Sequence, residues 1–466
     1  MKLSSRATFL VLAAAIAAGG AACADILGIQ AGRLEPDAST DDGSVEAQVD
    51  GGGTESAPPE AASDAPVDAP VDAPTGCGAR AVDDATGIFV TLYGVDGASC
   101  GTRASPCRTV QQGIQQATLL QRSTVYIARG TYTEAVTLGS GITLEGGWDT
   151  VASTWVPICD TNELSAVAIQ MPSSANVAVT VSPGATGAGL RILSVLGKAG
   201  AQSGESVYGV FAQGGDVTLD SVIVTMGDAG QGAQGTDGVA GVAGDGGCAA
   251  GAGVDGGSAG NAPPTTPGTF TASGWQPSGG LTGSSDGGTG DNGPCTLTPS
   301  CITECGSCAA TCPKPTSGCG GGPGQGGQGG LGGGSSIALF AWNTKVTVIG
   351  GSLSAGNGGN GGNGGAGGPG GSGGPGQATQ ATCISYCGDA GCATVGDTTL
   401  ANASAGGVGG AGGHGGGGAG GDSYAIYAGG DAGTLTMQSS PALSHGQPGQ
   451  GGVVNGASGQ AGDKGP

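Results

Sequence analysis

Aromatic, charged and histidine residues are all scarce in this chain of 466 residues. Aromatic side chains account for 3% of it and charged side chains for 10%, with 13 Lys or Arg against 35 Asp or Glu. The net charge of −22 excludes a nucleic-acid-binding surface, because such a surface needs a basic face. The two histidines, His414 and His445, both lie in glycine-rich surroundings, so no histidine-dependent catalytic triad is predicted.

Long hydrophobic runs are missing as well. The apolar stretch 9–18 is too short for a transmembrane helix, but with Lys2 and Arg6 before it, it has the arrangement of a secretion signal. The small residues before Cys23 resemble a bacterial lipobox, with Gly20 where Leu is usual. We therefore expect a signal peptide over 1–22, a lipid on Cys23 and an exported protein at the outer membrane or cell surface. Cleavage after another small residue is the alternative.

Glycine, in contrast, is abundant. The 107 Gly and 24 Pro residues give the composition of a low-complexity chain, whereas the 37% of hydrophobic residues indicates a modest folded scaffold. Residues 23–76 are interpreted as the lipid attachment site and an acidic tether. Within them, 34–75 carries eleven Asp or Glu, no Lys or Arg, and the repeat DAPVDAPVDAP, all of which oppose a packed core.

Short apolar runs separated by glycine turns follow Cys77. VYIA, AVTL and ITL are too short for helices and lie a few residues apart, which predicts strands. Ahead of them, Val110, Ile114, Ala117 and Leu120 lie close to one helical face, which predicts a short amphipathic helix.

Three stretches carry a resemblance to a known fold: SPCRT at 105–109, VYIARGTYTE at 125–134 and GITLEGGWD at 141–149. They make residues 80–225 similar to the N-terminal part of right-handed parallel β-helix proteins of the pectin-lyase-like class. The whole pattern also resembles glycine-rich surface lipoproteins of myxobacteria and their relatives. The resemblance implies an all-β fold, a right-handed parallel β-helix with a short N-terminal capping helix and long glycine-rich insertions.

An internal repeat supports the β-helix. Residues 206–221, 336–351 and 423–438 each contain a short apolar strand, a polar turn and a second strand, and such units must stack on neighbours. The gaps between the copies are too long for single rungs. We therefore predict, in order, an N-terminal β-helix part (77–226), an excursion rich in Gly and Cys (227–333), a rung (334–353), a second such excursion (354–421) and a last rung with a glycine-rich tail (422–466).

The glycine-rich excursions admit three interpretations. One is a flexible loop. A second is a bundle of extended threefold helices, because glycine at every third position leaves a bare edge along which chains can approach. The third is a calcium-binding repeat, but Gly-Gly-Asp occurs only singly, at 214–216 and 429–431.

Besides Cys23 there are fourteen cysteines, an even number that suits disulfides in an exported protein. All fourteen are assigned to disulfides: Cys77, Cys100, Cys107, Cys159, Cys248, Cys295, Cys301, Cys305, Cys308, Cys312, Cys319, Cys383, Cys387 and Cys392. A zinc site that includes Cys305 and Cys308, or free thiols, are the alternatives.

Two pairings are predicted near the N-terminus and one between the excursions. Cys100 and Cys107 flank a short loop and are expected to pair, which leaves Cys77 and Cys159 for each other. The excursions hold odd numbers of cysteines, so full oxidation requires a bond between them.

That bond is expected to run from Cys301 or Cys305 to Cys383 or Cys387. It would join two similar C-I-x-x-C turns.

Catalysis has little support in the sequence, and we assign no catalytic residue, metal ligand or cofactor. The resemblance to pectate lyase implies clustered Asp ligands for Ca²⁺ and a basic residue on a rung. Asp216, Asp220 and Arg191 are the only group that fits, and Arg191 is interpreted as a solvated rung residue.

The sequence therefore favours a non-enzymatic cell-surface lipoprotein, a structural or adhesive β-helix that displays disulfide-clamped glycine-rich excursions. Its expected partners are the membrane, through the lipid, and a surface glycan or another surface protein. The alternative is a polysaccharide-binding or polysaccharide-cleaving β-helix, which Asp and Arg clustered on adjacent rungs would favour. A third hypothesis is a threefold-helix surface used for packing or ice-like recognition.

Overall fold

The computed structural model describes residues 80–151, 154–159, 163–283, 286–296, 316–377, 379–383, 397–431 and 433–465. The predicted signal peptide, Cys23, Cys77 and the acidic tether lie outside these ranges. Within them the chain forms one helix, α1 (Val110–Leu120), and 25 strands.

The strands are short and follow one another closely. In chain order they are β1 (Gly87–Val90), β2 (Thr124–Ala128), β3 (Gly130–Thr133), β4 (Val136–Leu138), β5 (Thr143–Val151), β6 (Thr154–Pro157), β7 (Val167–Gln170), β8 (Val177–Val181), β9 (Ala188–Leu196), β10 (Val207–Gln213), β11 (Asp216–Thr225), β12 (Gly246–Cys248), β13 (Thr269–Thr271), β14 (Gly274–Gln276), β15 (Cys295–Thr296), β16 (Ser317–Gly318), β17 (Ser336–Trp342), β18 (Lys345–Ile349), β19 (Ser352–Ser354), β20 (Thr379–Cys383), β21 (Asp397–Ala403), β22 (Ser423–Gly429), β23 (Thr434–Gln438), β24 (Ala442–Ser444) and β25 (Ala461–Gly465).

Two parallel sheets form the scaffold. The first runs β1-β2-β5-β9-β11-β18-β23, with β3, β6, β7, β19 and β24 attached, and the second runs β4-β8-β10-β17-β22-β25. Strands that pair in parallel but are distant in sequence stack as the rungs of a solenoid. The right-handed parallel β-helix predicted from the sequence is confirmed.

Rows of apolar side chains fill the interior of the β-helix. One row joins five successive rungs and is almost completely buried: Val125, Leu144, Leu190, Leu219 and Val348. Burial of one such side chain stabilises the fold by about 1.5–3 kcal/mol. Because side chains alternate along a strand, the residues between the buried ones face outward.

Helix α1 packs on β1, β2 and β4 and caps the N-terminal end. Its free N–H groups have two acceptors. The Thr109 hydroxyl accepts from Gln112 N at 3.2 Å, and the Glu134 carboxylate accepts from Val110 N at 2.8 Å and Gln111 N at 2.9 Å. Carboxylates are favourable at a helix N-terminus because of the helix dipole.

The buried face of α1 is the predicted one, with one exception. Val110, Ile114 and Ala117 are buried, whereas Leu120 is 52% exposed. The prediction is wrong for Leu120 because the helix ends there: Gln121 adopts the left-handed conformation and turns the chain away. No helix in the described ranges is long and apolar enough to cross a membrane.

The three sequence repeats stack on one another. Tyr208 lies opposite Ile337, and Ile337 lies opposite Tyr424, so the copies are separated by 129 and 87 residues in the structure. These are the separations expected from the sequence repeat. This register keeps the side chains of all three residues in one outer cluster.

Outside their short strands, the excursions and the glycine-rich tail form a bundle of extended segments. We number the segments I (229–245), II (251–262), III (278–283 and 286–293), IV (319–334), V (356–376), VI (404–421), VII (446–453) and VIII (456–460). Backbone hydrogen bonds recur at every third residue. For example, Ala229 and Gly232 of segment I donate to the carbonyls of Asn357 and Asn360 of segment V, at 2.9 and 2.7 Å.

A repeat of three residues per turn without internal hydrogen bonds is that of an extended polyproline-type helix. Segment V has the sequence GNGGNGGNGGAGGPGGSGGPG, and its neighbours supply all of its backbone partners. Of the three interpretations of the glycine-rich sequence, the bundle of threefold helices is confirmed for the described residues, and the flexible loop is wrong for them.

Segment VI lies at the centre of the bundle. It has backbone hydrogen bonds to segments II, III, IV, V, VII and VIII, and its residues from 415 to 421 are all buried. A Cβ atom at Gly415 would lie within 3.0 Å of the Gln328 carbonyl oxygen, closer than real Cβ atoms approach. Over 415–421, segment VI can therefore carry almost no side chains, which explains the sequence GGGGAGG there.

Asn and Asp side chains connect segments that run parallel. Asn357 N donates to Asp228 Oδ1 at 2.7 Å, and Asn357 Oδ1 in turn accepts from Gln447 N at 2.8 Å. Asn360 and Asn363 repeat this contact with the N–H groups of Gln450 and Val453, both at 2.8 Å. The Asn at every third residue of segment V therefore fixes its register with segment VII.

Disulfides tie down parts of both regions. Cys100 and Cys107 form the predicted pair near α1, and Cys159 is also disulfide-bonded. Cys248 and Cys319 join the end of segment I to the start of segment IV, with 5.1 Å between their Cα atoms.

The two excursions also share backbone pairing. β21 of the second excursion pairs antiparallel with β15 of the first and with β20. The expected bond from Cys301 or Cys305 to Cys383 or Cys387 falls outside the described side chains and stays a prediction.

Candidate functional site

Three charged side chains stand in register on the outer face of the first sheet. Glu145 of β5 lies opposite Arg191 of β9, and Arg191 lies opposite Asp220 of β11. Neighbouring strands are about 4.8 Å apart, so the three groups follow one another on successive rungs. We call them the charged row.

Arg191 contacts both carboxylates. Its Nε lies 3.3 Å from Asp220 Oδ2 and its Nη1 lies 3.6 Å from Glu145 Oε2. The side chains of Arg191 and Asp220 are 44% and 33% exposed, whereas Glu145 is only 8% exposed. A molecule at this surface would meet the guanidinium and Asp220 first, with Glu145 beneath them.

The environment of Glu145 favours its protonated form. Burial raises the pKa of its carboxyl, and nearby Asp220 adds to the rise. Arg191, Arg80 and the Trp148 indole N–H act against this increase but leave the pKa above its ordinary value. Glu145 therefore keeps its proton to a higher pH than an exposed glutamate.

Arg80 and Trp148 form the wall behind Glu145. The Arg80 guanidinium lies 5.2 Å from the centre of the Trp148 ring, donates to the Gly147 carbonyl at 3.2 Å and pairs with Glu163. Arg80 Nη1 and Trp148 Nε1 are buried and have no full hydrogen bond among the described residues. Both atoms are N–H donors. They can therefore stabilise the ionised carboxylate of Glu145, but they do not hold Glu145 in that state.

A row of hydroxyl groups runs beside the charged row. It lies two residues before the charged row on each strand. Its positions in register are Thr124, Thr143, Gly189, Thr218, Thr347 and Thr436. The outer face of the first sheet thus combines repeated hydroxyls with one group of charges.

The residues singled out from the sequence are only partly together. Arg191 and Asp220 meet, but Asp216 lies four residues along β11, roughly 13 Å away. There its carboxylate accepts from Gly187 N at 2.6 Å.

Glu145 was missed by the sequence reasoning. The available signal was its position in ITLEGG, where it is the one charged residue of a short strand run. His414 and His445 lie on or next to the bundle segments and take no part in the charged row.

No known family model matches the chain, and no curated protein matches it. Similar solved structures are pectin methylesterases. A variant bound to a hexasaccharide is 13% identical, covering 31% of this chain and 44% of its own, with a TM-score of 0.21. The Aspergillus niger enzyme is 16% identical over 33% and 55%, with a TM-score of 0.21. PemA from Erwinia chrysanthemi is 11% identical over 30% and 46%, with a TM-score of 0.20.

The chain thus matches about half the length of these structures, and at these identities the likeness concerns the fold alone. It does correct one expectation. The sequence favoured a protein without enzymatic activity, but the similar structures are all enzymes by name. The expectation of a non-enzyme is withdrawn.

Proposed function

We propose that this chain acts on a polysaccharide, hydrolysing a glycosidic or ester bond at the charged row. The observation that carries the proposal is the arrangement of Glu145, Arg191 and Asp220 on three successive rungs, with a raised pKa at Glu145. General acid catalysis needs a carboxyl group that gives up a proton to the substrate, and burial raises the pKa of Glu145 in the direction that favours this role.

Each member of the charged row has a distinct part in this proposal. Glu145 donates a proton to the leaving oxygen, and Asp220, the more exposed carboxylate, activates the attacking water. Arg191 donates hydrogen bonds to substrate oxygens through its guanidinium N–H groups. Two rungs place the backbones of Glu145 and Asp220 about 9.6 Å apart. Because the Arg191 guanidinium lies between their carboxyl groups and contacts both, the sugar and the water would lie over the exposed side of the row.

The polysaccharide is inferred from the shape and chemistry of the face. A solenoid presents the same groups at every rung, and such an extended surface suits a repeating polymer. The threonine row offers hydroxyl donors and acceptors along the same direction. Hexasaccharide complexes occur among the similar structures, and that ligand class enters here as part of the proposal.

The test measures turnover on a panel of neutral and acidic polysaccharides, following both new reducing ends and released ester groups. Glu145→Gln and Asp220→Asn should each lower kcat by about 10²-fold or more. Asp216→Asn, on the same strand but outside the charged row, should stay within about twofold, since it makes no contact there. Wild-type protein without turnover on any substrate, or a Glu145→Gln variant with full activity, would refute the proposal.

We further propose that the protein is exported and held at the outer membrane or cell surface by a lipid on Cys23. The support is the sequence alone, through the signal-like N-terminus and its resemblance to glycine-rich surface lipoproteins. Metabolic labelling with a fatty acid should mark the wild-type protein and not the Cys23→Ala variant. Unlabelled wild-type protein released into the medium would contradict the anchor.

A further inference from the structure

A groove lined by side-chain amides runs along the glycine bundle, where segments I, V and VII lie side by side. Its amides are Gln231, Asn357, Asn360, Gln447 and Gln450, and all five residues are exposed. We call it the amide groove. It belongs to the bundle, whereas the charged row belongs to the first sheet.

The bundle fixes the orientation of two of these amides. Asn357 Oδ1 and Asn360 Oδ1 each accept from a backbone N–H of segment VII, at 2.8 Å. An amide whose oxygen faces the bundle turns its NH₂ group the other way. These two donors therefore stand three residues apart, which is about 9.3 Å along a threefold extended helix.

The glutamines add groups that both donate and accept. Gln447 and Gln450 bond to the bundle through their backbone N–H groups, which leaves their side-chain amides outside these contacts. A carboxamide can donate to one oxygen and accept from another, the pattern that neighbouring hydroxyl groups of a sugar present. Ala229 and Pro448 supply apolar surface in the same groove.

The groove carries little charge. Asp228 is its one ionisable lining residue, and one of its oxygens accepts from Asn357 N at 2.7 Å. No cation lines the groove, and the chain has a net charge of −22, so an anionic polymer would be repelled. The chemistry fits a neutral polymer rich in hydroxyl groups.

We propose that the amide groove binds a neutral polysaccharide and thereby holds the substrate polymer on the protein. The inference takes its ligand class from the proposed function, but it assigns binding to a surface that is separate from the charged row.

The experiment uses the full chain and affinity electrophoresis with soluble β-glucan, galactomannan and arabinoxylan, and with polygalacturonate as the anionic comparison. The double variant Gln447→Leu/Gln450→Leu removes two amides and keeps the backbone bonds to Asn357 and Asn360. It should weaken binding of the preferred neutral polymer at least 10-fold.

The matched control is Gln325→Leu/Gln328→Leu. These glutamines have the same spacing and exposure on segment IV but lie outside the groove. The control should bind within twofold of wild type.

The outcomes separate the two proposals. Unchanged binding by the groove variant, equal losses in the control, preference for polygalacturonate, or no binding of any neutral polymer would each overturn the amide groove, even if turnover depends on Glu145. Binding that depends on Gln447 and Gln450 in a protein without turnover would support the groove and refute the catalytic proposal.

Discussion

The β-helix rungs and the glycine bundle remove different atoms from water. In the rungs, side chains such as Leu190 and Leu219 are buried and supply the hydrophobic stabilisation. In the bundle, the buried atoms are mostly backbone, and almost every third N–H donates to a carbonyl of another segment. The rungs exclude water with large side chains. The interior of the bundle excludes water because its residues lack side chains and their backbones lie close together.

The comparison explains why glycine is distributed unevenly along the excursions. Segment I, at the surface, has one glycine per turn, from Gly232 to Gly244, and its other residues are exposed. Segments V and VI both have two glycines per turn, at 14 of 21 and 12 of 18 residues. Segment V exposes only its third residues, whereas residues 415–421 of the central segment VI are all buried. The number of glycines per turn therefore rises from one in segment I, which bonds to segments IV and V, to two in segments V and VI, which have more neighbouring segments.

A larger side chain at the centre of the bundle should have the largest effect on stability. In Gly415→Val the new side chain would collide with the backbone of Gln328, which cannot move without separating segments IV and VI. We expect the bundle to lose its order, at a cost above about 4 kcal/mol. Hydrogen exchange of segments IV to VI measures the loss.

The control for this change is Gly257→Val in segment II, where no atom lies within 4 Å of the new Cβ. It should exchange like the wild type. Equal protection in the two variants would show that segment VI is not closely packed.

The opposite experiment shortens a buried side chain in a rung. Leu219→Ala leaves a cavity in the row of buried leucines and should lower the free energy of unfolding by about 3 kcal/mol. Leu331→Ala, on segment IV, removes the same atoms from a side chain that is 58% exposed, and it should change stability by less than about 0.5 kcal/mol. Chemical denaturation measures both, and similar losses would contradict the contrast.

The asparagine contacts between segments V and VII should contribute less to the free energy of unfolding. Asn357→Ala leaves the N–H of Gln447 without its acceptor and should cost about 1 kcal/mol. Ser372→Ala is the matched change, since Ser372 is another exposed third residue of segment V. A denaturation midpoint shifted equally by both would show that the side-chain amide does not hold segment VII.

A pH dependence is expected at the junction of the two regions. Asp422 lies between segment VI and β22, and burial raises its pKa to about 6, although Gln460 N donates to it. The folded state holds the Asp422 proton more firmly than the unfolded chain does. The contribution of Asp422 to the free energy of unfolding is therefore greatest below pH 4 and is lost as the pH rises through about 6. The melting temperature should therefore rise between pH 7 and pH 5.

Asp422→Asn keeps an acceptor for Gln460 but removes the titration. It should melt above the wild type at pH 7 and show a weaker dependence on pH. If the melting temperatures of the wild type and the variant changed in parallel with pH, the dependence would come from the other acidic residues.

Sequence periodicity was enough to predict the local parts of the fold. Val110, Ile114 and Ala117 indicated α1, and short runs such as VYIA indicated rungs, because these signals depend on which face of one element is buried. The repeats also indicated stacking, and the strands pair at the separations of 129 and 87 residues that the repeats have in the sequence.

The bundle and the charged row depended on contacts that no single segment encodes. GNGGNGGNGG was compatible with a loop and with a threefold helix, because the hydrogen bonds that order it come from segments about 30 to 130 residues away. Arg191 and Asp220 were recognised as a possible group, but Glu145 joins them through the register of β5 with β9. Register between distant rungs was therefore the missing information.

The location of the tryptophans makes the two regions optically distinguishable. None of the four lies in a bundle segment: Trp148 and Trp155 belong to the N-terminal aromatic cluster, Trp342 to β17 and Trp275 to β14. Trp275 touches the bundle, where its Nε1 donates to the Gly333 carbonyl at 2.9 Å. Fluorescence emission on heating will thus report the β-helix and this one junction, whereas far-ultraviolet circular dichroism will also report the glycine segments. The difference between the two melting curves is a direct signal from a region that carries no chromophore except its own peptide bonds.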